Sequence, residues 1–281
     1  MNGRRHAGFS RRPIWIMLSG RADPTDETTR DAFLDGRLTI RQPASGPRTA
    51  IDALFLAAAV PAVAGKKQKI LEAGAGSGVA SLALCARVQD ARITGVEVQP
   101  GLAALARENA RLNDFSERCR IIEADITARA QVLEHAGLVR ESFDHVAANP
   151  PFYISSRHRE AADPQVARAY GAKPGDLEKW VRFLATMAAP RATVTMIHTA
   201  EVLGELLALL EGRFGGVAVY PLFAREGAPA KRILVQGIKG SRAPAELHSG
   251  LVLHKPNGDY TEAADAVLRG MAGLSLRQTK E

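Results

Sequence analysis

The sequence predicts an α/β fold built on a doubly wound, mostly parallel sheet, and three observations lead to this prediction. From residue 69 onward, short apolar runs rich in β-branched residues alternate with longer segments whose apolar residues recur every three or four positions. The loops between these segments are short. The chain has 281 residues, 46% of them hydrophobic, which is enough for one large globular domain with additions.

Strands are predicted where short apolar runs are bounded by glycine, proline or polar residues. A short strand at 38–40 comes first, and seven strands follow at 69–72, 92–98, 120–122, 143–148, 193–197, 216–223 and 233–238. The last two are close enough in sequence to pair antiparallel, so we expect a seven-stranded, mostly parallel sheet with an antiparallel C-terminal hairpin. A strand-like segment at 251–254 ends the series.

Helices are predicted where apolar residues recur with the helical period. They cover 51–63, 79–88, 101–112 and 201–210, and a short last helix ends near Arg269. Leu177, Val181, Leu184 and Ala188 mark one face of a further helix. Because most of these helices separate consecutive strands, they are expected to cover the sheet on both faces.

The first 36 residues show no sustained periodicity and form the least regular part of the sequence. They include Arg4, Arg5, Arg11 and Arg12. We interpret residues 1–36 as a flexible basic arm, with two open alternatives: a start extended beyond a true initiator at Met17, or an arm that gathers RNA phosphates. Residues 37–281 are predicted to form a single domain with a short C-terminal strand and helix.

Charge and cysteine content narrow the classes of protein. Lysine and arginine total 37 against 30 acidic residues, a net charge of +7 that mildly favours anionic partners. Cys85 and Cys119 both lie in apolar segments, which argues against a disulfide framework or a cysteine zinc site. The apolar stretch at 13–18 is too short to span a membrane. We therefore expect a cytoplasmic protein without a membrane partner, and leave its oligomeric state open.

A glycine-rich segment follows the first strand of the main sheet. Gly74, Gly76 and Gly78 lie between that strand and a predicted helix. Glycine permits a tight turn and a close approach of the backbone to a nucleoside, although a simple tight turn would need the same residues. The G-x-G-x-G spacing departs from the dinucleotide fingerprint G-x-G-x-x-G and resembles the first motif of class I methyltransferases, which have a Rossmann-like fold.

Three carboxylates stand near this segment in the predicted topology. Glu97 ends the second strand of the main sheet, 19 positions after Gly78, where a carboxylate can bind both ribose hydroxyls. Asp125 follows the third strand, where it either reaches an adenine ring or serves as a turn acid. Glu72 either faces the ammonium group of a methionine moiety or is an ordinary polar strand end.

The tetrapeptide Asn149-Pro150-Pro151-Phe152 follows the fourth strand, at the edge where open α/β sheets bind ligands. Proline also terminates strands, so the motif alone has a structural explanation. The adenine amino group is a poor nucleophile because its lone pair is delocalised. The Asn149 side-chain oxygen and the Pro150 carbonyl can hold its two hydrogens, and Phe152 offers a face on which a purine can stack. We interpret the four residues as catalytic.

Taken together, these motifs resemble the bacterial tRNA(Val) adenine-N6 methyltransferases, a small-methyltransferase-domain family of class I enzymes. The resemblance covers residues 37–270 and extends to Ala167-Arg168-Ala169-Tyr170, Leu251–His254 and Gly258–Thr261. It implies S-adenosylmethionine as cofactor, no metal, and methylation of an adenine in RNA, most of all in tRNA near the anticodon. It also implies that Arg48 and Asp52 bind the cofactor. Both residues lie in a segment that is similar to the family's GYRFSIDALLLA.

Basic residues near the same edge are candidates for RNA contacts. Arg157 and Arg168 lie in the loop after the fourth strand, and Lys231 and Arg232 lie in the C-terminal hairpin region. A solvated basic surface is the alternative for both groups. His158 and His198 are isolated in the sequence and are interpreted as loop or strand-end residues.

Several other functions stay open at this point. A methyltransferase acting on glutamine in release factors shares the Asn-Pro-Pro-aromatic loop, but only about 30 structured residues are predicted before Ile70, too few for its helical substrate domain. An adenine-N6 methyltransferase acting on rRNA or DNA fits the same chemistry. An NAD-dependent dehydrogenase is disfavoured by Val79 after the glycines, and a non-catalytic module that binds S-adenosylmethionine or RNA is disfavoured by the intact tetrapeptide.

Overall fold

The computed structural model of the chain describes residues 28–44, 51–152 and 175–277. The strands in these ranges are β1 (Thr28–Phe33), β2 (Leu38–Pro43), β3 (Lys69–Ala73), β4 (Arg92–Glu97), β5 (Cys119–Glu123), β6 (Phe143–Ala148), β7 (Ala188–Thr199), β8 (Phe214–Phe223), β9 (Arg232–Lys239), β10 (Glu246–Leu247) and β11 (Leu251–Val252). The α-helices are α1 (Ile51–Ala59), α2 (Val79–Arg87), α3 (Pro100–Leu112), α4 (Ala130–His135), α5 (Asp176–Met187), α6 (Leu203–Leu210) and α7 (Glu262–Leu268).

The central sheet has the strand order β5-β4-β3-β6-β7-β9-β8, and the short strands β10 and β11 both pair with β8. Every pair is parallel except those that β9 makes with β7 and β8. The predicted mostly parallel sheet and its antiparallel C-terminal pair are confirmed. The sheet has nine strands rather than seven because β10 and β11 extend its edge, each with only two residues.

Helices cover both faces of the sheet, as the alternation predicts. Consecutive residues of a strand point to opposite faces, and Ile70 and Leu71 of β3 accordingly belong to two different apolar clusters. The cluster around Ile70 contains residues of α1, α2, α3 and α7. The cluster around Leu71 contains residues of α4, α5 and α6. The sheet and its two helical layers form a three-layer domain. Because β3, β4, β6 and β7 are parallel, their carboxyl ends lie at the same edge of the sheet.

Regular structure is present earlier in the chain than the sequence predicts. β1 pairs antiparallel with β2 from Thr28 opposite Pro43 to Phe33 opposite Leu38, so residues 28–36 are not part of a flexible arm. The alternation of apolar and polar residues that marks a strand is hidden because polar Thr29 and Asp31 occupy buried positions of β1. The Gln42 Nε2 donates to the Asp31 carboxylate at 2.9 Å. Residues 1–27 lie outside the described residues, so the arm, and the division into arm and single domain, remain predictions.

Asn109 of α3 and Asn113, which directly follows this helix, anchor the β1–β2 hairpin to the domain. The amide of Asn113 accepts from the Thr39 N–H at 2.9 Å and donates to the Thr39 carbonyl at 2.8 Å. Asn109 makes the same pair of bonds with Arg41, at 2.8 and 2.9 Å. The two residues stand four positions apart, on one side of the helix. Their side chains therefore satisfy backbone groups that a neighbouring strand would otherwise bind.

Within the described ranges, no helix combines the length and apolar character needed to cross a bilayer. The same ranges contain no group of three or more histidine, cysteine, aspartate or glutamate side chains placed to hold a metal ion. Cys85 and Cys119 are buried and carry free thiols.

Candidate active site

The candidate site lies at the carboxyl edge of the parallel strands, where the chain turns from β3 into α2. The N–H groups of Gly74 and Ala75 donate to the Val96 carbonyl of β4 at 2.8 and 3.0 Å, and the Gly78 N–H donates to the Ala75 carbonyl at 2.8 Å. Gly74, Gly76 and Gly78 all have positive φ, at 71°, 55° and 90°. The left-handed conformation favours glycine, so the spacing follows from the shape of the turn.

The three glycines differ in what surrounds them. A Cβ on Gly74 would lie 2.6 Å from the indole of Trp180, and one on Gly78 would lie 3.3 Å from the Ala106 Cβ. At Gly76, no described atom lies within 4 Å of the same position. Packing against the indole therefore excludes a Cβ at Gly74 and leaves little room for one at Gly78, whereas Gly76 borders space that is open among the described residues and that a ligand can approach. Trp180, on α5, was not identified from the sequence, where it appears only as a further apolar residue of a helix.

Glu97 holds the glycine turn from the end of β4. Its carboxylate accepts the Gly76 N–H and the Gln99 N–H, each at 2.9 Å, and the residue is only 5% exposed. An ionised carboxylate has about four lone-pair sites, so two bonds leave capacity for further donors. This geometry fits the predicted recognition of ribose hydroxyls beside Gly76.

Glu72 lies beneath the turn and is 3% exposed. Its carboxyl accepts a hydrogen bond from the Ser81 hydroxyl of α2. Burial raises the pKa of Glu72 to about 8, against the lowering effect of the Ser81 hydrogen bonds. A cationic group placed near it would favour the ionised form, so the residue fits the predicted partner of a ligand ammonium group.

Asp125, beyond β5, is exposed and occupies a turn. One of its oxygens accepts both the main-chain N–H and the hydroxyl of Thr127, each at 2.7 Å. Of its two expected roles, the turn role is the one these contacts describe. Contact with an adenine ring stays a prediction.

The tetrapeptide after β6 presents a buried acceptor. The Asn149 Oδ1 is shielded from solvent and has no hydrogen-bond partner in the part of the chain that the structure describes. Pro150 is buried, while Pro151 and Phe152 are partly exposed. An unpaired buried acceptor costs about 1–3 kcal/mol. Such an atom is suited to a donor that the protein itself does not supply.

Three side chains from separate elements gather at Phe152. The Arg232 guanidinium of β9 lies 4.4 Å from the centre of the Phe152 ring, and its Nε donates to the Asp52 Oδ2 of α1 at 2.9 Å. The imidazole of His198, from β7, packs edge-on against Phe152 with 5.0 Å between ring centres. His198 is therefore not isolated, and the sequence offered no signal for this contact.

These contacts join two predicted site residues, Asp52 and Arg232, whose expected roles stay predictions. The sequence placed Asp52 at the cofactor and Arg232 on a rim that binds RNA phosphates, yet the two form one ion pair, with side chains 14% and 33% exposed. Tertiary contact joins them: Arg232 lies opposite Thr199 at the end of β7, and Asp52 belongs to α1, which packs against β7. Lys231 is exposed, as a residue that contacts phosphate must be. Arg48, Arg157, Arg168 and the 167–170 motif lie outside the described residues.

Asn109 is a second residue that sequence reasoning missed. Besides anchoring β2, its amide donates to the Ser77 carbonyl at 2.9 Å and so links the hairpin to the glycine turn. Its four-residue spacing from Asn113 was the available signal.

Comparisons with known proteins identify the family and the fold. A family model described as a methyltransferase domain matches residues 70–171, from the first strand of the main sheet to beyond the tetrapeptide. A tRNA1(Val) (adenine(37)-N6)-methyltransferase from Porphyromonas gingivalis is 33% identical over 63% of this chain and 68% of its own length. One from Aeromonas hydrophila is 26% identical over 75% of this chain and 84% of its own.

Solved structures share the fold. A predicted O-methyltransferase from Agrobacterium tumefaciens is 31% identical, with a TM-score of 0.69 over 81% of this chain and 100% of that chain. Pyrococcus horikoshii TYW2, solved with MeSAdo, has a TM-score of 0.51 at 12% identity over 77% of this chain and 73% of that chain, a likeness of fold alone. The chain thus belongs to the tRNA1(Val) (adenine(37)-N6)-methyltransferase family of S-adenosylmethionine-dependent methyltransferases.

Proposed function

We propose that the protein transfers a methyl group from S-adenosylmethionine to the exocyclic amino group of an adenine in RNA, with a tRNA, near its anticodon, as the substrate. The observation that carries the proposal is the buried, unpartnered Asn149 Oδ1 of the described chain. It stands at the sheet edge that also bears the glycine turn and Glu97. The names of the relatives from Porphyromonas gingivalis and Aeromonas hydrophila support the choice of acceptor.

The Asn149 Oδ1 and the Pro150 carbonyl would accept the two hydrogens of the amino group. Holding both hydrogens favours a tetrahedral nitrogen whose lone pair is directed at the methyl group. When bound, S-adenosylmethionine supplies a methyl group already activated by its sulfonium. As the nitrogen becomes positive, the same two oxygens stabilise the developing charge. The proton leaves readily afterward, so no strong base is required.

The name of the Agrobacterium tumefaciens structure raises an oxygen acceptor as the alternative. A hydroxyl is a weak nucleophile until a base removes its proton, so its methylation calls for a general base or a metal. The tetrapeptide offers acceptors of the amide type instead. Burial lowers the pKa of the neighbouring His198 to about 4, which makes it a poor base. The chemistry of this site therefore supports nitrogen as the acceptor.

For the RNA, we propose contacts at the rim of the same edge. Exposed Lys231 would bind phosphate, together with Arg157 and Arg168. A stacked adenine must leave its loop to enter the site, and stacking on Phe152 would return about 1–3 kcal/mol of that cost. A tRNA substrate also places the enzyme in the cytoplasm.

The proposal is tested by offering tritiated S-adenosylmethionine with unmodified tRNA, rRNA fragments, duplex DNA and a release factor in separate reactions. We expect label in tRNA, and nucleoside mass spectrometry should identify it as N6-methyladenosine. Label in rRNA or DNA alone would move the acceptor to another nucleic acid. Label in the release factor alone would overturn the proposal in favour of a glutamine acceptor.

A further inference from the structure

Asp52, His198 and Arg232 form a cluster beside Phe152, which we call the Phe152 support. It limits which face of the Phe152 ring a base can use. Its members come from α1, β7 and β9: Arg232 and His198 contact the Phe152 ring, and Asp52 binds Arg232. The inference below rests on the proposed function, because it assigns a role in the same acceptor site.

Arg232 occupies one face of the Phe152 ring. Its guanidinium carbon lies 4.4 Å from the ring centre, within the range of a cation–π contact. The Asp52 carboxylate fixes the guanidinium through the 2.9 Å bond to its Nε. With one face of the ring covered by a held cation, the opposite face is the one left for a purine.

His198 lies beside the same ring and next to the main chain of Thr199 and Pro151. Its Nδ1 accepts the Thr199 N–H at 2.8 Å. Burial, together with the nearby Arg232, keeps the pKa of His198 at about 4, so the imidazole is neutral and its proton sits on Nε2. The main chain of Pro151 lies near enough to the imidazole to oppose this lowering of its pKa.

We propose that the Phe152 support orients Phe152 and the Pro151 peptide so that the acceptor amine meets the Asn149 and Pro150 oxygens. Arg232, Asp52 and His198 are positioning residues: they act through the tetrapeptide and touch neither reacting atom. Small displacements of a group that aligns reactants reduce turnover strongly, so the support should govern kcat more than cofactor affinity.

The test compares matched variants in tRNA methylation. Arg232→Met removes the charge and keeps the length of the side chain, and should lower kcat roughly 10-fold. Arg232→Lys, which keeps a cation over the ring, should recover part of that loss. His198→Gln retains a donor near the Nε2 position and should retain more activity than His198→Leu. Arg269→Met is the control, because Arg269 has similar exposure, 31%, and an ion pair with Asp265 far from the tetrapeptide in the chain.

The dissociation constant of S-adenosylmethionine distinguishes a positioning role of these residues from a role in binding the cofactor. Trp15→Phe leaves Trp180, which contacts Gly74, as the single tryptophan, so its fluorescence can report titration with S-adenosylmethionine. We expect the dissociation constant of every support variant, Asp52→Asn included, to stay within about twofold of the parent. An Asp52→Asn variant with weakened cofactor binding and normal kcat would return Asp52 to the cofactor site and remove it from the support.

A spectroscopic readout keeps the inference distinct from the proposed substrate. With 4-fluorophenylalanine in all nine phenylalanine positions, Phe152→Leu assigns one 19F resonance. That resonance should shift or broaden in Arg232→Met and His198→Leu and stay unchanged in Arg269→Met. An unchanged Phe152 resonance, or a kcat equal to that of the control, would overturn the inference. If the wild-type protein methylates no RNA, the proposed function fails while the 19F comparison still decides the arrangement of the support.

Discussion

The amino edge and the carboxyl edge of the central sheet are formed by opposite ends of the same strands. They differ in whether their polar groups have hydrogen-bond partners. Toward the amino edge, both ring nitrogens of buried His145 have partners, the Gln68 Nε2 at 2.7 Å and the Thr193 Oγ1 at 2.7 Å. The Asp144 carboxylate likewise accepts the Lys69 N–H at 2.7 Å. These groups are satisfied by the chain itself, as buried polar groups in proteins normally are.

At the carboxyl edge, several polar groups can accept hydrogen bonds that the protein itself does not supply. Among the described residues, the Asn149 Oδ1 is buried without a partner, and a Cβ on Gly76 would meet no atom beyond its chain neighbours within 4 Å. Glu97 accepts two backbone N–H groups and can accept more. The satisfied polar groups of the amino edge therefore serve the structure, and the incompletely satisfied groups of the carboxyl edge leave acceptors for a ligand.

The largest expected effect comes from Asn149→Ala, which removes the unpartnered oxygen. Because that oxygen acts on charge that develops during transfer, we expect kcat to fall by about 10²–10³-fold. The dissociation constant of S-adenosylmethionine should stay within about twofold, as measured by calorimetry. Asn257→Ala, in an exposed turn, is the matched control. A large loss of cofactor binding in Asn149→Ala would contradict the assigned role.

Glu72→Gln should change how stability depends on pH. The folded-state pKa of about 8 lies above the ordinary 4.5, so the wild-type carboxyl costs nothing near pH 4.5 and destabilises the fold increasingly as pH rises toward 8. The glutamine variant avoids this cost while its oxygen can still accept from Ser81. We expect it to be more stable by on the order of 3 kcal/mol above pH 8, and equal near pH 4.5.

Denaturant unfolding at pH 5, 7 and 8.5, without cofactor, measures this difference. A stability difference that is the same at all three values would show that Glu72 does not titrate in this range.

Glu97→Ala should act on cofactor binding rather than on the chemical step. Loss of a charge-assisted acceptor for the ribose hydroxyls is worth about 2 kcal/mol, so the cofactor dissociation constant should rise roughly 30-fold. At saturating cofactor, kcat should be largely retained. Glu97→Gln, which keeps the shape of the side chain, tests whether the charge matters. An unchanged dissociation constant for both variants would mean that the ribose binds elsewhere.

Gln68→Ala gives the smallest expected effect and sharpens the contrast between the edges. It deprives buried His145 of one partner, so we expect the free energy of unfolding to fall by about 1–2 kcal/mol. Both kcat and the cofactor dissociation constant should match the wild type. A substantial fall in kcat, measured well below the melting temperature, would break the distinction between a structural and a ligand-binding edge.

Much of this fold could be predicted because its signals are local. The predicted strand at 143–148 matches β6, and the glycine spacing located the turn after β3. Part of β2 was predicted at 38–40, but β1 escaped prediction because its buried positions include the polar residues Thr29 and Asp31, which disguise the alternation. Helix α4 escaped as well, since its six residues bury only Leu133 and show no clear period.

By itself, the sequence determined the order of most strands and helices, the glycine turn and the tetrapeptide, because each depends on spacing over a few neighbouring residues. Only the tertiary structure decided that Asp52 meets Arg232, 180 positions away, and that Trp180 closes over Gly74. Strand order and helix packing bring such residues together, and a local pattern of apolar and polar residues does not encode which distant side chains will share a site.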